Sequence, residues 1–277
     1  MSGEFQPWVG RVEEALDIIS PRQARQMAAT LGVQGDFREG APLPPLWHWM
    51  GWAPETPMAG LGQDGHPVRG GFLPPVPLER RMWAGGRLTF EGALWIGEVL
   101  QRQSEILKVV EKTGTTGQMV FVTVRHEITG AAGRIEEEQD IVYVAMPDRF
   151  TPPPPVQAPP AAWTEPVAAD TVRLFRFSAL TFNAHRIHFD LPYAMGVEKY
   201  PGLVVHGPLQ AMLLMETVRA RREGACPGTW RFRGLRPAFH FDTLSLQGQA
   251  QVADNQTLAT VNGEGHICMQ AEAGWSA

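Results

Sequence analysis

Only two cysteines, Cys226 and Cys268, stand in 277 residues, far apart and without a CxxC partner. Such a chain offers neither a disulfide framework nor a zinc knuckle, and both thiols read as small buried hydrophobes. Long apolar runs are also missing. No stretch approaches the ~18 apolar residues of a membrane span, so a membrane is not an expected partner. The opening MSGEFQPWVG carries Glu4 and has neither a basic region nor an apolar core. It does not read as a targeting segment, and a soluble, cytoplasmic protein is expected. Positive charge is scarce: 24 Lys and Arg against 29 Asp and Glu leave a net charge of −5. With no Lys/Arg cluster interleaved with stacking aromatics, nucleic acid is not an expected partner either.

What is present is apolar surface and chain punctuation. Apolar residues make up 44% and charged residues 19%, enough to offset chain entropy and exclude disorder for most of the chain. The 29 glycines and 24 prolines imply many turns and extended stretches, as in a strand-rich protein rather than a helical bundle. The length suits two domains of ~100–150 residues better than one. The clearest compositional break is PDRFTPPPPVQAPPAA, where proline removes backbone donors and favours an extended conformation. It is read as a linker over 147–162, dividing an N-terminal unit of residues 1–146 from a C-terminal unit of residues 163–277.

In the first unit a helix is expected over Val12–Ile19. Ser20-Pro21-Arg22-Gln23 then reads as an N-cap, a first-turn proline and a capping-box glutamine, opening a second helix that runs to about Leu31. From Ala41 to Arg81 there is too much Pro and Gly for regular structure, yet Trp47, Trp49 and Trp52 must be buried somewhere. Strand-like stretches follow at 86–90, 118–129 and 134–145, with valines alternating at 120, 122 and 124; 93–112 suits a strand or a helix. In the second unit, strands are expected near 172–180, 230–241, 245–252 and 258–273, with a helix over 207–222. That helix carries the stripe Ala211, Leu214, Met215, Val218, and Met212 and Leu213 extend it round most of the circumference. A helix apolar on most sides must be wrapped, and a curled antiparallel sheet is the natural wrapper.

The segment FSALTFNAHRIHFDLPYA followed by KYPGLVVHGPL carries a family resemblance. It resembles the MaoC-like hydratases and dehydratases of 2-enoyl and 3-hydroxyacyl thioesters, whose motif is Asp-x-Asn-Pro-apolar-His-x-Asp with a glycine opening a helix downstream. The matching positions are Asn183, His185, Arg186, Ile187, His188, Asp190 and Gly207; the first Asp, the Asn and the Pro of the motif are not kept. Together with PPLWHWMGW, GGFLPPVPLERRMWAGG and VFVTVRHEI, the pattern looks most like the double hot-dog branch, which includes mesaconyl-CoA and itaconyl-CoA hydratases and type 2 3-hydroxyacyl-thioester dehydratases. The resemblance implies an α+β fold of two hot-dog units in one chain, each a curved antiparallel sheet wrapped round a central helix. It also implies an acyl-CoA substrate, a hydro-lyase reaction and a C-terminal unit that carries most of the site.

Hydration of an unsaturated thioester needs a base for water, an acid for the α-carbon and donors for the enolate oxygen. His188 suits the first two tasks, because an imidazole takes and returns a proton near neutral pH. Gly207 suits the third, with an unpaired N–H at a helix start. Asn183 stands where simpler relatives carry an acid. An amide cannot act as a base, so it is assigned to positioning water or His188, with a local turn role as the bland alternative. His185, Arg186 and His206 complete the candidate site as substrate contacts, Arg186 for a free carboxylate or a CoA phosphate. Asp190 is expected to fix the loop. Without the resemblance, His185, His188, Asp190 and His206 also have H-x-x-H-x-D spacing, but on an irregular segment with no further ligand pattern, so no metal is expected. No cofactor is expected, since the thioester itself acidifies the α-position. The preferred substrate is a short branched dicarboxylic acyl-CoA such as mesaconyl-CoA or itaconyl-CoA. The alternatives are a 3-hydroxyacyl-ACP dehydratase of fatty-acid synthesis and a non-catalytic acyl-thioester binding protein. A homodimer is compatible with the sequence.

Overall fold

A computed structural model describes residues 3–114 and 117–275. In chain order the elements are β1 (Val12–Ile18), α1 (Pro21–Leu31), β2 (Arg80–Ala93), β3 (Val99–Gly114), β4 (Gly117–Thr129), β5 (Ala132–Val144), β6 (Trp163–Val167), α2 (Thr171–Leu180), α3 (Leu191–Gly196), α4 (Gly207–Ala220), β7 (Thr229–Gly234), β8 (Leu244–Gly248), β9 (Asn255–Val261) and β10 (Ile267–Gly274). The ten strands form one antiparallel sheet in the order β1-β3-β4-β5-β2-β7-β10-β9-β8-β6. Read from either end, the first five strands and the last five follow the same internal order. The two sets meet where β2 pairs with β7, from Gly85↔Arg233 to Thr89↔Thr229. Among the described residues no helix is long and apolar enough to cross a membrane.

The halves differ in what fills them. In the C-terminal half α4 runs under β8, β9 and β10, and every residue from Leu209 to Glu216 is buried. The helix apolar on most sides is thus wrapped as expected. Its two polar members are paired: Gln210 accepts from Thr260 Oγ1 at 2.6 Å, and Glu216 accepts from Trp47 Nε1 at 2.9 Å. At the corresponding point of the N-terminal half, between α1 and β2, the described residues hold no α-helix. A 3₁₀ turn, Trp47–Met50, takes that place. There His48 Nε2 and Glu137 Oε2 meet at 3.0 Å, and Trp49 Nε1 donates to Glu137 Oε1 at 2.9 Å. Burial alone would raise the Glu137 carboxyl, but the bond to His48 and its charge hold it below the usual carboxylate range. The Trp-rich loop therefore lies against the sheet and reaches the helix of the other half.

Two expected elements have exchanged type. Residues 12–18 are an edge strand, paired with β3 from Val12↔Glu105 to Ile18↔Val99. Most of this strand is exposed, so no apolar alternation marks it, and pairing overrides the helical-looking composition. The helix begins only after Ser20, whose hydroxyl accepts from Gln23 N while Gln23 returns a bond to Ser20 N, as the capping box predicts. Conversely, 171–180 is a helix. Asp170 caps it by accepting from Arg173 N, and Leu174, Phe177 and Ser178 bury one face, a spacing of three and four despite the β-forming Val172 and Phe175. The ambiguous stretch 93–112 resolves into the end of β2 and the strand β3. Cys268 is buried, but Cys226 is exposed. It lies in the turn after α4 rather than in the core.

Candidate active site

The chain between α2 and α4 carries the motif residues, and its local bonds set their geometry. Asn183 Oδ1 accepts from His185 N at 3.0 Å, closing an Asx turn. Asp190 caps α3 by accepting from Tyr193 N and binds Arg186 Nε and Nη2 at 2.9 and 2.7 Å. Between these anchors a 3₁₀ turn, Arg186–His188, turns Ile187 and His188 inward. Nδ1 of His188 donates to Val204 O at 2.7 Å, which fixes the neutral tautomer and leaves the lone pair on Nε2. No other bond of that ring occurs among the described residues. Burial pushes the His188 imidazole well below its ordinary value, and the charges of His206 and His185 add to this.

His206 lies immediately before α4 and is fully buried. Its ring stacks on His188 with centroids 3.7 Å apart, and its Nε2 meets Ser178 Oγ at 2.9 Å. The stack brings the first turn of α4 beside His188. The N–H of Gly207 has no acceptor among the described residues, and it sits at the positive end of the helix. Gly207 is not needed for space, since a Cβ there would meet only Met269 Cε at 3.7 Å.

His185 Nε2 meets Glu198 Oε1 at 3.1 Å, and Arg80 Nε binds Glu198 Oε2 at 3.2 Å. A second loop arrives from the N-terminal half. Asp64 Oδ2 and His66 Nδ1 lie 2.9 Å apart, and the His66 ring is 4.3 Å from that of His185. Burial pulls His66 down to about 3 against the opposing bond from Asp64, with the positive charge of Arg81 adding to the depression. Asp64, His66 and His185 present ligand-type atoms within 4.8 Å of one another. Within this group Asp64 Oδ2 and His66 Nδ1 are bonded to each other as an acid–imidazole pair.

The structure thus brings His185, His188, His206 and Gly207 together and redefines three expectations. Arg186 is engaged within the chain: besides Asp190 it donates to Gln63 O at 3.0 Å and covers the Tyr193 ring at 4.1 Å, so its cation is neutralised where a substrate carboxylate was expected. Asn183 uses its side-chain oxygen on the turn. His206, fully buried, supports His188 instead of presenting a surface to substrate. Asp64, His66, Arg80 and Glu198 were not singled out in the sequence; the one available signal was Asp-Gly-His, with its rare histidine, inside a Pro/Gly-rich loop.

Comparisons with known proteins bear on family and fold. The family described as hydroxyacyl-thioester dehydratase type 2 matches residues 46–240. The chain belongs to that family. It is 48% identical over 249 residues to the mesaconyl-C(4)-CoA hydratase of Chloroflexus aurantiacus, covering 88% of this chain and 89% of the relative. Among solved structures, a MaoC-like dehydratase from Phytophthora capsici superposes with a TM-score of 0.71 at 12% identity, over 96% of this chain and 95% of that one. A Mycobacterium tuberculosis protein described as a double hotdog fold gives 0.61 at 13% identity, over 96% of each chain. The fold is α+β, a double hot dog, as the resemblance implied.

Proposed function

We propose that this enzyme adds water to, and removes it from, a 2-enoyl / 3-hydroxyacyl-CoA thioester with a short dicarboxylic acyl group of the mesaconyl type. The observation that carries this reading is His188: a neutral imidazole, fixed through Nδ1 and stacked on the residue that precedes α4, with neither its Nε2 nor the N–H that opens α4 paired among the described residues. Nε2 takes a proton from water as the oxygen bonds to C3. The electron pair of the double bond moves onto the thioester oxygen, where the Gly207 N–H and the helix terminus oppose its charge. The proton on Nε2 then passes to C2, and the ring returns to its starting state.

The dicarboxylic choice is supported by the 48% identical relative named for mesaconyl-C(4)-CoA. It is also supported by Arg81, which stands opposite Tyr143 across β2 and β5 and makes no ion pair among the described residues. A half-buried guanidinium next to this cluster suits an acyl carboxylate better than an alkyl chain. The experiment is a panel of mesaconyl-C4, itaconyl, crotonyl and longer enoyl-CoA thioesters, followed by loss of the enoyl-thioester absorbance, with wild type and His188→Ala. Bleaching by wild type, fastest on a dicarboxylic thioester, with rates about 10²–10⁴-fold lower in the variant, is the expected result. Fastest turnover of a long-chain substrate would remove the dicarboxylic reading. Binding without bleaching would favour a carrier function.

A further inference from the structure

Water that attacks C3 must be held as well as deprotonated. His188 can deprotonate it, and the oxygen of Asn183, the expected holder, is spent on the backbone of His185. The opposing loop carries a candidate. Both oxygens of Asp64 are directed at His66, Oδ2 to Nδ1 at 2.9 Å and Oδ1 to the backbone N–H at 3.0 Å. The carboxylate places the proton of the ring on Nδ1, so Nε2 is a lone-pair acceptor. It has no hydrogen-bond partner among the described residues.

The loop is held against the motif segment by the main chain. Arg186 N donates to Asp64 O at 3.0 Å, and Gly62 N donates to His66 O at 2.7 Å. Gly65 has φ +89°, and a Cβ on it would lie 1.9 Å from Ala184 O. Only glycine allows so close an approach. The rings then form a series, His66 4.3 Å from His185 and His185 5.4 Å from His188.

We propose that His66, supplied by the N-terminal half and oriented by Asp64, is the second catalytic residue: its Nε2 accepts a hydrogen bond from the water that His188 deprotonates. This rests on the hydration reading above. In the step, one O–H bond of water breaks toward His188 Nε2, and the new C–O bond forms at C3. The other O–H, held by His66, stays on the product as its hydroxyl hydrogen. His66 is neutral throughout, as an acceptor must be.

The test uses full-length protein, three variants of the Asp64–His66 pair and His188→Ala, with kcat, KM and thermal midpoint measured on the best thioester of the panel. His66→Ala is expected to lower kcat about 10²-fold or more with KM within about threefold and the melting temperature nearly unchanged. His66→Gln should recover part of that loss, because the amide oxygen still accepts. Asp64→Asn should also lower kcat, since an amide donor at Nδ1 forces the ring proton onto Nε2 and turns the acceptor into a donor. A His66→Ala enzyme within about threefold of wild-type kcat overturns the proposal. So does an equal loss in His66→Ala and His66→Gln accompanied by a fallen melting temperature, which marks a purely structural loop. Inactive wild type removes the hydration reading and this inference together, whereas inactive His188→Ala beside active His66→Ala removes the inference alone.

Discussion

The imidazoles of His188 and His206 lie face to face, with planes 20° apart and centroids at 3.7 Å. The inner ring is sealed from solvent, bonded to Ser178 at Nε2 and without a partner at Nδ1 among the described residues. Its contribution is therefore the plane in which the outer ring is held. His206→Phe keeps a flat ring in that place, and Ser178 can turn its hydroxyl to the helix carbonyls. Stability should change by about 1 kcal/mol or less and kcat by less than about tenfold. His206→Ala opens a cavity instead and should cost about 2–4 kcal/mol with a larger fall in kcat. Denaturant unfolding and steady-state kinetics on both variants check this; identical behaviour of the two would remove the stacking argument.

Acid should unfold this protein by charging its histidines. Burial holds His66 and His206 at about 3 and His126 at about 4, with His188 also depressed. The unfolded chain takes up these protons near pH 6.5, the folded one only well below. Stability is thus fully present above about pH 7 and falls as pH drops toward 4, by up to about 1.4 kcal/mol per pH unit for each such histidine. Urea midpoints between pH 8 and 4.5 measure the slope, and a flat profile would contradict it. His206→Phe should flatten the curve by about one proton.

Two arginines near the site have opposite expectations. Arg186 is bound to Asp190, Gln63 and the Tyr193 ring, so Arg186→Met should loosen the loop and reduce turnover of mesaconyl-C4-CoA and crotonyl-CoA alike. Arg81→Met should raise KM or lower kcat/KM selectively for the dicarboxylic thioester, by about 10-fold or more if a charge-assisted bond of about 1.5–3 kcal/mol is lost. The ratio of kcat/KM values on the two substrates decides between them.

The halves of the chain are tied by Trp47, fully buried and donating to the buried Glu216 of α4. Burial raises the Glu216 carboxyl, so this group depends on its few donors. Trp47→Phe should destabilise by about 1–3 kcal/mol with little effect on KM. A double-mutant cycle with Glu216→Gln, read by denaturant midpoints, should show that most of the cost is shared.

Local signals in the sequence corresponded to local structure. Ser20 and Gln23 mark a helix start because the capping box is made within four residues, and α4 announces its wrapping because the apolar surface exceeds one face. The helix expected over Val12–Ile19 and the strand expected near 172–180 differ from the structure for separate reasons: the first stretch gains its strand form from the distant β3, and the second its helix from the Asp170 cap and one buried face that β-forming residues obscure. The site divides the same way. His188 and Gly207 belong to a motif and the helix-opening glycine downstream of it, so the sequence itself names them as candidates that the fold then brings side by side. Asp64, His66, Arg80 and Glu198 converge through loop docking and strand placement, and no periodicity in a Pro/Gly-rich stretch reports which residue it will face.

The repeated strand order carries one consequence for stoichiometry. Two identical five-stranded units facing each other would present the same cleft twice, once from each side. Among the described residues a wrapped central helix whose opening N–H is unpaired exists on one side only, while the other side has filled its space with Trp47, His48 and Trp49 and lends its loop across the seam. The equivalence between the halves is one of scaffold alone. A calorimetric titration with a non-hydrolysable thioester analogue should therefore saturate at a single molecule per chain, with no second, weaker event from the tryptophan-filled side.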